Sequence, residues 1–137
     1  MKKPGRCRWR DLLLGSLLLV MLPKFAAALV FVTDEEVGRK HFLDAANMNR
    51  KGYIVYIWQV QINEQADQAG AMMIRSQQEF DCRFRQSRVM WLTSYADKEG
   101  VEAPLQSSAV QHPQWVPVTS GSVTEKLLDQ ACGMIMR

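Results

Sequence analysis

Residues 53–62 of the chain read YIVYIWQVQI, and their side chains alternate between two faces of an extended backbone. One face holds only apolar residues, Ile54, Tyr56, Trp58, Val60 and Ile62, and the other holds Tyr53, Val55, Ile57, Gln59 and Gln61. Period-two alternation of β-branched and aromatic residues predicts a β-strand. Because one face of this strand is wholly apolar, we expect other parts of the domain to cover that face.

The sequence on both sides of this strand predicts further short strands. Upstream, residues 29–33 and 41–44 are extended runs separated by the charged turn 34–36. Downstream, residues 74–85 and 88–96 alternate in the same way, and the turn 97–100 leads into a shorter run at 101–105. Every charged residue of 74–85 falls on one side, so Cys82 points to the other, buried side.

The C-terminal stretch changes from strand to helix periodicity. Ser122 is followed three residues later by Glu125, the capping-box pattern in which both side chains bind backbone N–H groups at a helix start. Apolar residues then recur at helical spacing, namely Val123, Leu127, Leu128, Ala131 and Cys132, and Gly133 predicts the helix end. The predicted fold class is therefore α+β, an antiparallel sheet of about six strands with one C-terminal helix packed on one face.

Residues 1–28 have the pattern of a removable secretory signal. Five of the first ten residues are basic, an apolar run spans 12–22, and residues 26–28 are alanines. A basic end, a short apolar core and a small-residue cleavage site are the order of a signal peptide, and this run is shorter than the roughly 20 residues that span a bilayer. We expect cleavage after Ala28 and export of residues 29–137 as one domain, to the periplasm or the outer cell surface.

The net charge of +3 belongs to the signal segment and not to the domain. Residues 1–28 contain six of the 17 basic residues and one of the 14 acidic residues, which leaves the domain with 11 basic and 13 acidic residues and a charge near −2. Binding to nucleic-acid phosphates needs a concentrated basic face. The composition therefore argues against a nucleic-acid partner.

The domain keeps two cysteines, Cys82 and Cys132, on the predicted inner sides of the sheet and the helix. An even count in an exported protein predicts a disulfide, although two free thiols are the alternative. A zinc site would need about four ligands, and His41 and His112 have no other ligand at a close spacing. We therefore expect a Cys82–Cys132 disulfide between the sheet and the helix, and no metal.

No pattern in the chain predicts catalysis. The sequence contains no Gly-rich phosphate loop, no nucleophile elbow and no His-x-x-x-His pair. Ser120 or Ser122 could form a triad with His112 and Asp129, but helix capping explains the serines better. Glu79 and Asp81 could act as a carboxylate pair, but the arginines on the same side of the strand favour charge pairing. The sequence therefore predicts a protein that is not an enzyme and has no cofactor.

Three residues are candidates for contact with a partner: Trp115, Arg83 and Arg85. Trp115 lies in a segment bracketed by prolines, where an aromatic ring can be held at the surface, whereas the other tryptophans of the domain fit strand positions. The two arginines lie on the charged side of the 74–85 run. Rigid aromatic residues and arginines are enriched at the energetic centres of protein interfaces. The sequence does not predict which molecule they contact.

Several short patterns occur in one order along nearly the whole domain. They are Phe42-Leu43-Asp44, Gly52 with Ile57-Trp58, Ser76 with Glu79-Phe80-Asp81-Cys82, Trp115-Val116-Pro117-Val118, and Gly121-Ser122 leading to Ala131-Cys132. In this order and spacing, the chain resembles the surface-adhesin protein E family of Gram-negative bacteria. Two features depart from the family pattern, because a proline more often precedes the Gly-Ser pair and because the chain has no lipobox.

The resemblance implies a small antiparallel sheet with a C-terminal helix linked to it by a disulfide, and a tendency to form homodimers. It also implies an outer-membrane surface protein that adheres to host extracellular matrix or serum proteins such as vitronectin, laminin and plasminogen. The implied fold agrees with the fold predicted from the residues. Adhesion does not follow from the residues, because a shared fold does not imply a shared ligand.

The leading hypothesis is an exported, non-enzymatic module of the bacterial envelope that binds a protein or another macromolecule. Its contact surface would be the exposed sheet face, an edge strand or the segment around Trp115. Two alternatives stay open: a periplasmic accessory protein of structural role, and a protein that binds a small ligand between sheet and helix. A deep polar pocket lined by His41 or His112 and by carboxylates would favour the second alternative.

Overall fold

The computed structural model describes residues 28–35 and 37–134. The predicted signal segment lies outside the described residues except for Ala28. The strands are β1 (Leu29–Glu35), β2 (Arg39–Lys51), β3 (Ile54–Asn63), β4 (Met73–Asp81), β5 (Gln86–Tyr95), β6 (Gln106–Ala109) and β7 (Val116–Pro117). One helix, α1 (Val123–Gly133), follows them in the part of the chain that is described.

The strands form one antiparallel sheet in which neighbours in sequence are neighbours in space. The order is β1-β2-β3-β4-β5-β6, and the short β7 also pairs with β5. The chain turns back between neighbouring strands through tight turns at 52–53 and 82–85 and through longer loops at 64–72 and 96–105. The predicted antiparallel sheet with one C-terminal helix is confirmed, with seven strands where about six were expected.

The helix packs on one face of the sheet, which we call the helix face. The core consists of Leu43, Val55, Ile57 and Phe80 of the sheet and Leu127, Leu128 and Ala131 of the helix, each at most 2% exposed. Val55 and Phe80 are directly opposite each other on β3 and β4, so one helix covers both. Burial of each large side chain stabilises the fold by about 1.5–3 kcal/mol.

The expectation that the wholly apolar side of β3 would be covered is met only in part: Val60 is 2% exposed and the other four side chains are partly buried, but the helix packs on the opposite face. That side belongs to the open face, defined as Ile54, Tyr56, Trp58, Val60 and Ile62 of β3 with the residues directly opposite them on other strands. No helix or second sheet within residues 28–35 and 37–134 packs on it. The neighbouring strands explain the difference, because Tyr56 lies opposite Glu79 whereas Val55 lies opposite Phe80. The open face does pair Val60 with Phe42 and Ile62 with Met73, but the charged residues opposite Tyr56 and Val60 on β4 interrupt its apolar surface.

Other differences concern where strands end. The predicted strand 74–85 ends at Asp81, because the Asp81 carboxylate accepts hydrogen bonds from the backbone N–H groups of Arg83 and Phe84, both at 2.9 Å, and so closes a tight turn. Phe84 was expected on the buried side and is 66% exposed. The run expected at 101–105 is not a strand, and the next strand begins at Gln106. The short β7 was not predicted.

The helix start and the disulfide are both confirmed. The Ser122 hydroxyl accepts a hydrogen bond from the Glu125 N–H at 3.1 Å, and the Glu125 carboxylate accepts one from the Gly121 N–H at 2.6 Å. The Cys82–Cys132 disulfide joins the β4–β5 turn to the last turn of the helix across 50 residues of sequence. The helix is therefore fixed at both ends, by a cap and by a covalent bond.

Candidate functional site

The open face carries aromatic and polar side chains in rows that run across the strands. In one row Trp58, Gln77 and Trp91 lie directly opposite one another on β3, β4 and β5. Residues opposite each other in antiparallel strands project from the same face, so the two indoles flank the glutamine on one surface. This row crosses the three central strands of the sheet, where the backbone is held by pairing on both sides.

An arginine, a carboxylate and a tryptophan form a cluster beside this row. Arg88 lies opposite Glu79 and donates to its carboxylate from Nε and from a terminal nitrogen, both at 2.6 Å. The guanidinium carbon of Arg88 also lies 4.4 Å from the centre of the Trp115 ring. Glu79 is 6% exposed, so its charge is removed from water and compensated by Arg88. Arg88 thereby fixes Trp115 at the edge of the open face.

The other two tryptophans of the open face are also held in place. The guanidinium carbon of Arg75 lies 5.2 Å from the centre of the Trp58 ring, a cation–π contact. The Trp91 indole N–H donates to the hydroxyls of Thr93 at 3.2 Å and Ser107 at 3.1 Å. The aromatic side chains of the open face are therefore ordered without a covering element.

The two predicted contact arginines lie in the β4–β5 turn at one end of the sheet. Arg85 donates to Asp129 at 2.9 Å and to Glu125 at 3.3 Å, and these contacts, that with Asp129 first, raise the pKa of its guanidinium. Arg83 forms no ion pair within the described residues and contacts two aromatic rings instead. One arginine therefore holds the helix while the other faces solvent.

The structure places the predicted contact residues in two regions. Trp115 stacks on Arg88 at the open face, whereas Arg83 and Arg85 lie in the turn beside the disulfide. Sequence reasoning missed Arg75 and Arg88 as supports of the tryptophans. The alternation predicted which side of the strand these arginines occupy. It did not predict their aromatic partners, because each ring belongs to a different part of the chain and only the strand register brings the two together.

His41 is the buried titratable group of the helix face. The amide nitrogen of Gln59 donates to His41 Nδ1 at 3.1 Å, and the amide nitrogen of Gln78 donates to the Gln59 oxygen at 3.0 Å. His41 Nε2 lies 3.5 Å from the Glu35 carboxylate. Burial lowers the pKa of His41 from 6.5, and the hydrogen bond and charge of Glu35 partly oppose that shift. The two ring nitrogens thus face an amide and a carboxylate and not a nucleophile.

The described residues provide little concave or metal-binding surface. Residues 28–35 and 37–134 contain no group of three or more His, Cys, Asp or Glu side chains placed to hold a metal ion. Two open depressions, of about 510 and 170 Å³, adjoin the β3–β4 loop and share Asp67 and Ile74. Neither is lined by a histidine, so the pocket that would favour a small-ligand protein does not form there. In the same part of the chain no helix is long and apolar enough to cross a membrane.

Comparison with known proteins agrees with the sequence patterns. A search of curated protein sequences found no significant match. Among solved structures, the crystal structure of protein E from non-typeable Haemophilus influenzae is similar to this chain, with 12% identity, a TM-score of 0.49, and coverage of 74% of this chain and 71% of that one. The sequence model of the family described as surface-adhesin protein E matches residues 30–133, a range that includes both disulfide cysteines. The chain therefore belongs to the surface-adhesin protein E family.

Proposed function

We propose that this protein is an exported, non-enzymatic module of the bacterial cell surface that acts as an adhesin toward a host matrix or serum protein. The observation that carries the proposal is the open face, a sheet surface with ordered aromatic side chains on which no helix of the described residues packs. Membership of a surface-adhesin family supports the same class of function. Trp115, Arg83 and Arg85 stay in the proposal as contact residues, the first at the open face and the arginines at the turn.

The side chains of the open face are those that dominate binding energies at protein interfaces. Tryptophan, tyrosine and arginine are enriched among such residues, and Trp58, Tyr56, Trp115 and Arg75 occur together here. Trp91 is 38% exposed, so its ring remains available to a partner. Because the rings are already held by arginines and hydroxyls, ordering them on binding costs less free energy than ordering free side chains would.

The charge on the open face favours a protein partner over a polyanion. By strand register the face carries the cations Lys40, Lys51, Arg75 and Arg88 and the anions Asp34, Asp44, Glu79 and Asp81. Nucleic acids and other polyanions need an excess of cations on the contact surface. A balanced set of charges around aromatic residues instead resembles the composition of protein interfaces.

A binding assay tests this proposal. Immobilised protein would be exposed separately to purified vitronectin, laminin and plasminogen, and bound protein would be quantified. Trp58→Ala should weaken capture of any partner by about tenfold or more, because it removes an aromatic ring from the centre of the face. Val101→Ala is the control, since Val101 is 82% exposed in the loop after β5. Absence of capture, or equal capture by Trp58→Ala, would contradict the proposal.

Location and assembly need separate measurements. Antibody labelling of intact cells should detect the protein, whereas labelling only after the outer membrane is permeabilised would support the periplasmic alternative. Sedimentation of the purified protein tests the homodimer that the family resemblance implies. A monomer at all concentrations measured would remove the homodimer from the proposal and leave adhesion in place.

A further inference from the structure

At the end of the sheet formed by the β2–β3 and β4–β5 turns, an arginine lies between two exposed aromatic rings. The guanidinium carbon of Arg83 is 5.5 Å from the centre of the Tyr53 ring and 5.4 Å from that of Phe84. Tyr53 is 58% exposed and Phe84 66% exposed. Cation–π contacts fix the guanidinium without using its N–H groups. We call these three residues the aromatic–arginine cluster.

Hydrogen bonds and the disulfide hold the backbone that carries the cluster. The Asp81 carboxylate accepts hydrogen bonds from the backbone N–H groups of Arg83 and Phe84, both at 2.9 Å. The Cys82 N–H donates to the Tyr53 carbonyl at 2.9 Å, and the Cys82 disulfide ties the turn to the helix. The cluster is therefore ordered before any partner arrives, which reduces the entropy lost on binding.

Positive charge surrounds the cluster. Among the described residues Arg50, Lys51 and Arg83 take part in no ion pair. The Arg50 side chain donates to the backbone carbonyls of Gly52 at 3.2 Å and Cys132 at 3.3 Å, which leaves its charge uncompensated. One carboxylate, Asp81, lies in the same turn and accepts hydrogen bonds from backbone N–H groups, which do not cancel its charge, so three unpaired cations lie near one unpaired anion. This end of the sheet therefore combines uncompensated cations with exposed aromatic rings.

We propose that the aromatic–arginine cluster is a docking site for an acidic segment of a partner protein. A carboxylate of that segment pairs with the side-chain N–H groups of Arg83, which form no ion pair within the described residues, and neighbouring apolar side chains pack on the rings of Tyr53 and Phe84. The inference rests on the proposed function in one respect, that the exported domain works by binding a protein. It goes further by adding Tyr53 and Phe84 to the contact region at the turn and by specifying the charge of the segment that binds there.

A synthetic acidic polymer tests the site without knowledge of the natural partner. A random copolymer of glutamate and tyrosine would be immobilised, and binding of the full protein measured by surface plasmon resonance, with a lysine–tyrosine copolymer as the basic counterpart. The protein should bind the acidic copolymer and not the basic one. Arg83→Ala and Phe84→Ala should each weaken binding by about tenfold. Arg83→Lys should lie between wild type and Arg83→Ala, because an ammonium keeps the charge and loses the planar fork.

Matched controls separate this site from general attraction to negative charge. Arg39→Ala removes the same charge at the opposite end of the sheet, from a side chain that is 45% exposed and paired with Glu35, and it should bind as wild type does. No binding of the acidic copolymer by wild type, equal losses in Arg39→Ala and Arg83→Ala, or full binding by Phe84→Ala would overturn the proposal. Melting temperatures confirm that each variant is folded.

The same assay distinguishes the two proposals from each other. Trp58→Ala, which alters the open face, should leave copolymer binding unchanged. Loss of copolymer binding in that variant would overturn a separate acidic-segment site. Conversely, if wild type fails to bind the acidic copolymer but captures a host protein through Trp58, the proposed function stands and the cluster has no docking role.

Discussion

His41 is a single residue whose charge state is set by its surroundings. Its Nδ1 accepts a hydrogen bond from Gln59, which assigns the proton of the neutral ring to Nε2, facing Glu35. A second proton on Nδ1 would oppose the amide donor of Gln59. The nearby cation Arg39, in an ion pair with Glu35, adds to the cost of a charged imidazole.

The stability of the fold should therefore depend on pH through His41. Because its folded pKa is lowered from 6.5, the unfolded chain binds more protons in mildly acidic solution. The contribution of His41 to the free energy of unfolding is fully present above about pH 6.5, and it is lost as the pH falls below that value toward the folded pKa. Urea unfolding of wild type and His41→Gln from about pH 8 to about pH 5 measures it. The difference in unfolding free energy between wild type and His41→Gln should shrink as the pH falls. A difference that stays constant with pH would contradict this account.

Arg85 shows the limit of residue types as a guide to function. From the sequence it is a residue on the charged side of the predicted strand 74–85, equivalent to Arg83. In the structure Arg85 pairs with Glu125 and Asp129 of the helix, while Arg83 contacts Tyr53 and Phe84. The two positions differ because a turn begins at residue 82 and sends successive side chains in different directions.

At the scale of elements, the helix and its attachment are the parts that local patterns determine best. The capping box and the apolar spacing predicted α1, and the even cysteine count predicted its covalent link to the sheet; the structure has both. A helix of 11 residues is marginal by itself in water. Packing against Val55 and Phe80 and the disulfide together hold it on the sheet.

Removing the disulfide should lower stability strongly. Cys132→Ser opens a loop of 50 residues, for which the chain-entropy argument gives about 4 kcal/mol of unfolding free energy. Thermal unfolding should show a markedly lower melting temperature than wild type. Wild type treated with reductant should match the variant, and the variant should not respond to reductant. An unchanged melting temperature on substitution would show that the bond does not stabilise the fold.

Strand ends were harder to predict than strand existence. The alternation in 74–85 continues past Asp81 into the turn, so the pattern alone gave no sign that the strand stops there. The stop comes from one carboxylate that satisfies two backbone donors. The same event brings Phe84 to the surface and creates the aromatic–arginine cluster, which the sequence did not predict.

At the scale of the whole molecule, the two faces of the sheet have different roles. The helix face contains the buried core, while the open face keeps its aromatic side chains partly accessible. Charged residues on neighbouring strands, such as Glu79 and Arg88 beside Tyr56, make the open face unsuitable for an apolar cover. The asymmetry leaves a large ordered surface for a partner.

Identical substitutions on the two faces of β3 should reveal this asymmetry. Ile57 is 1% exposed in the core, so Ile57→Ala should lower the free energy of unfolding by about 2–5 kcal/mol through the cavity it leaves. Ile54 lies on the open face and is only partly buried, so Ile54→Ala should cost about 1 kcal/mol. Chemical denaturation of both variants measures the difference. Equal losses would mean that both faces are cores.

The sequence by itself determined the alternating strands, the capped helix, the two linked cysteines and, through ordered short patterns, the family. These are local or pairwise features, because backbone periodicity and capping act within a few residues. The tertiary structure decided which face of the sheet is core, since that depends on which residues the register sets side by side. It also decided which arginine holds the helix and which is left between exposed rings, because a turn of four residues redirects side chains that a strand pattern treats alike.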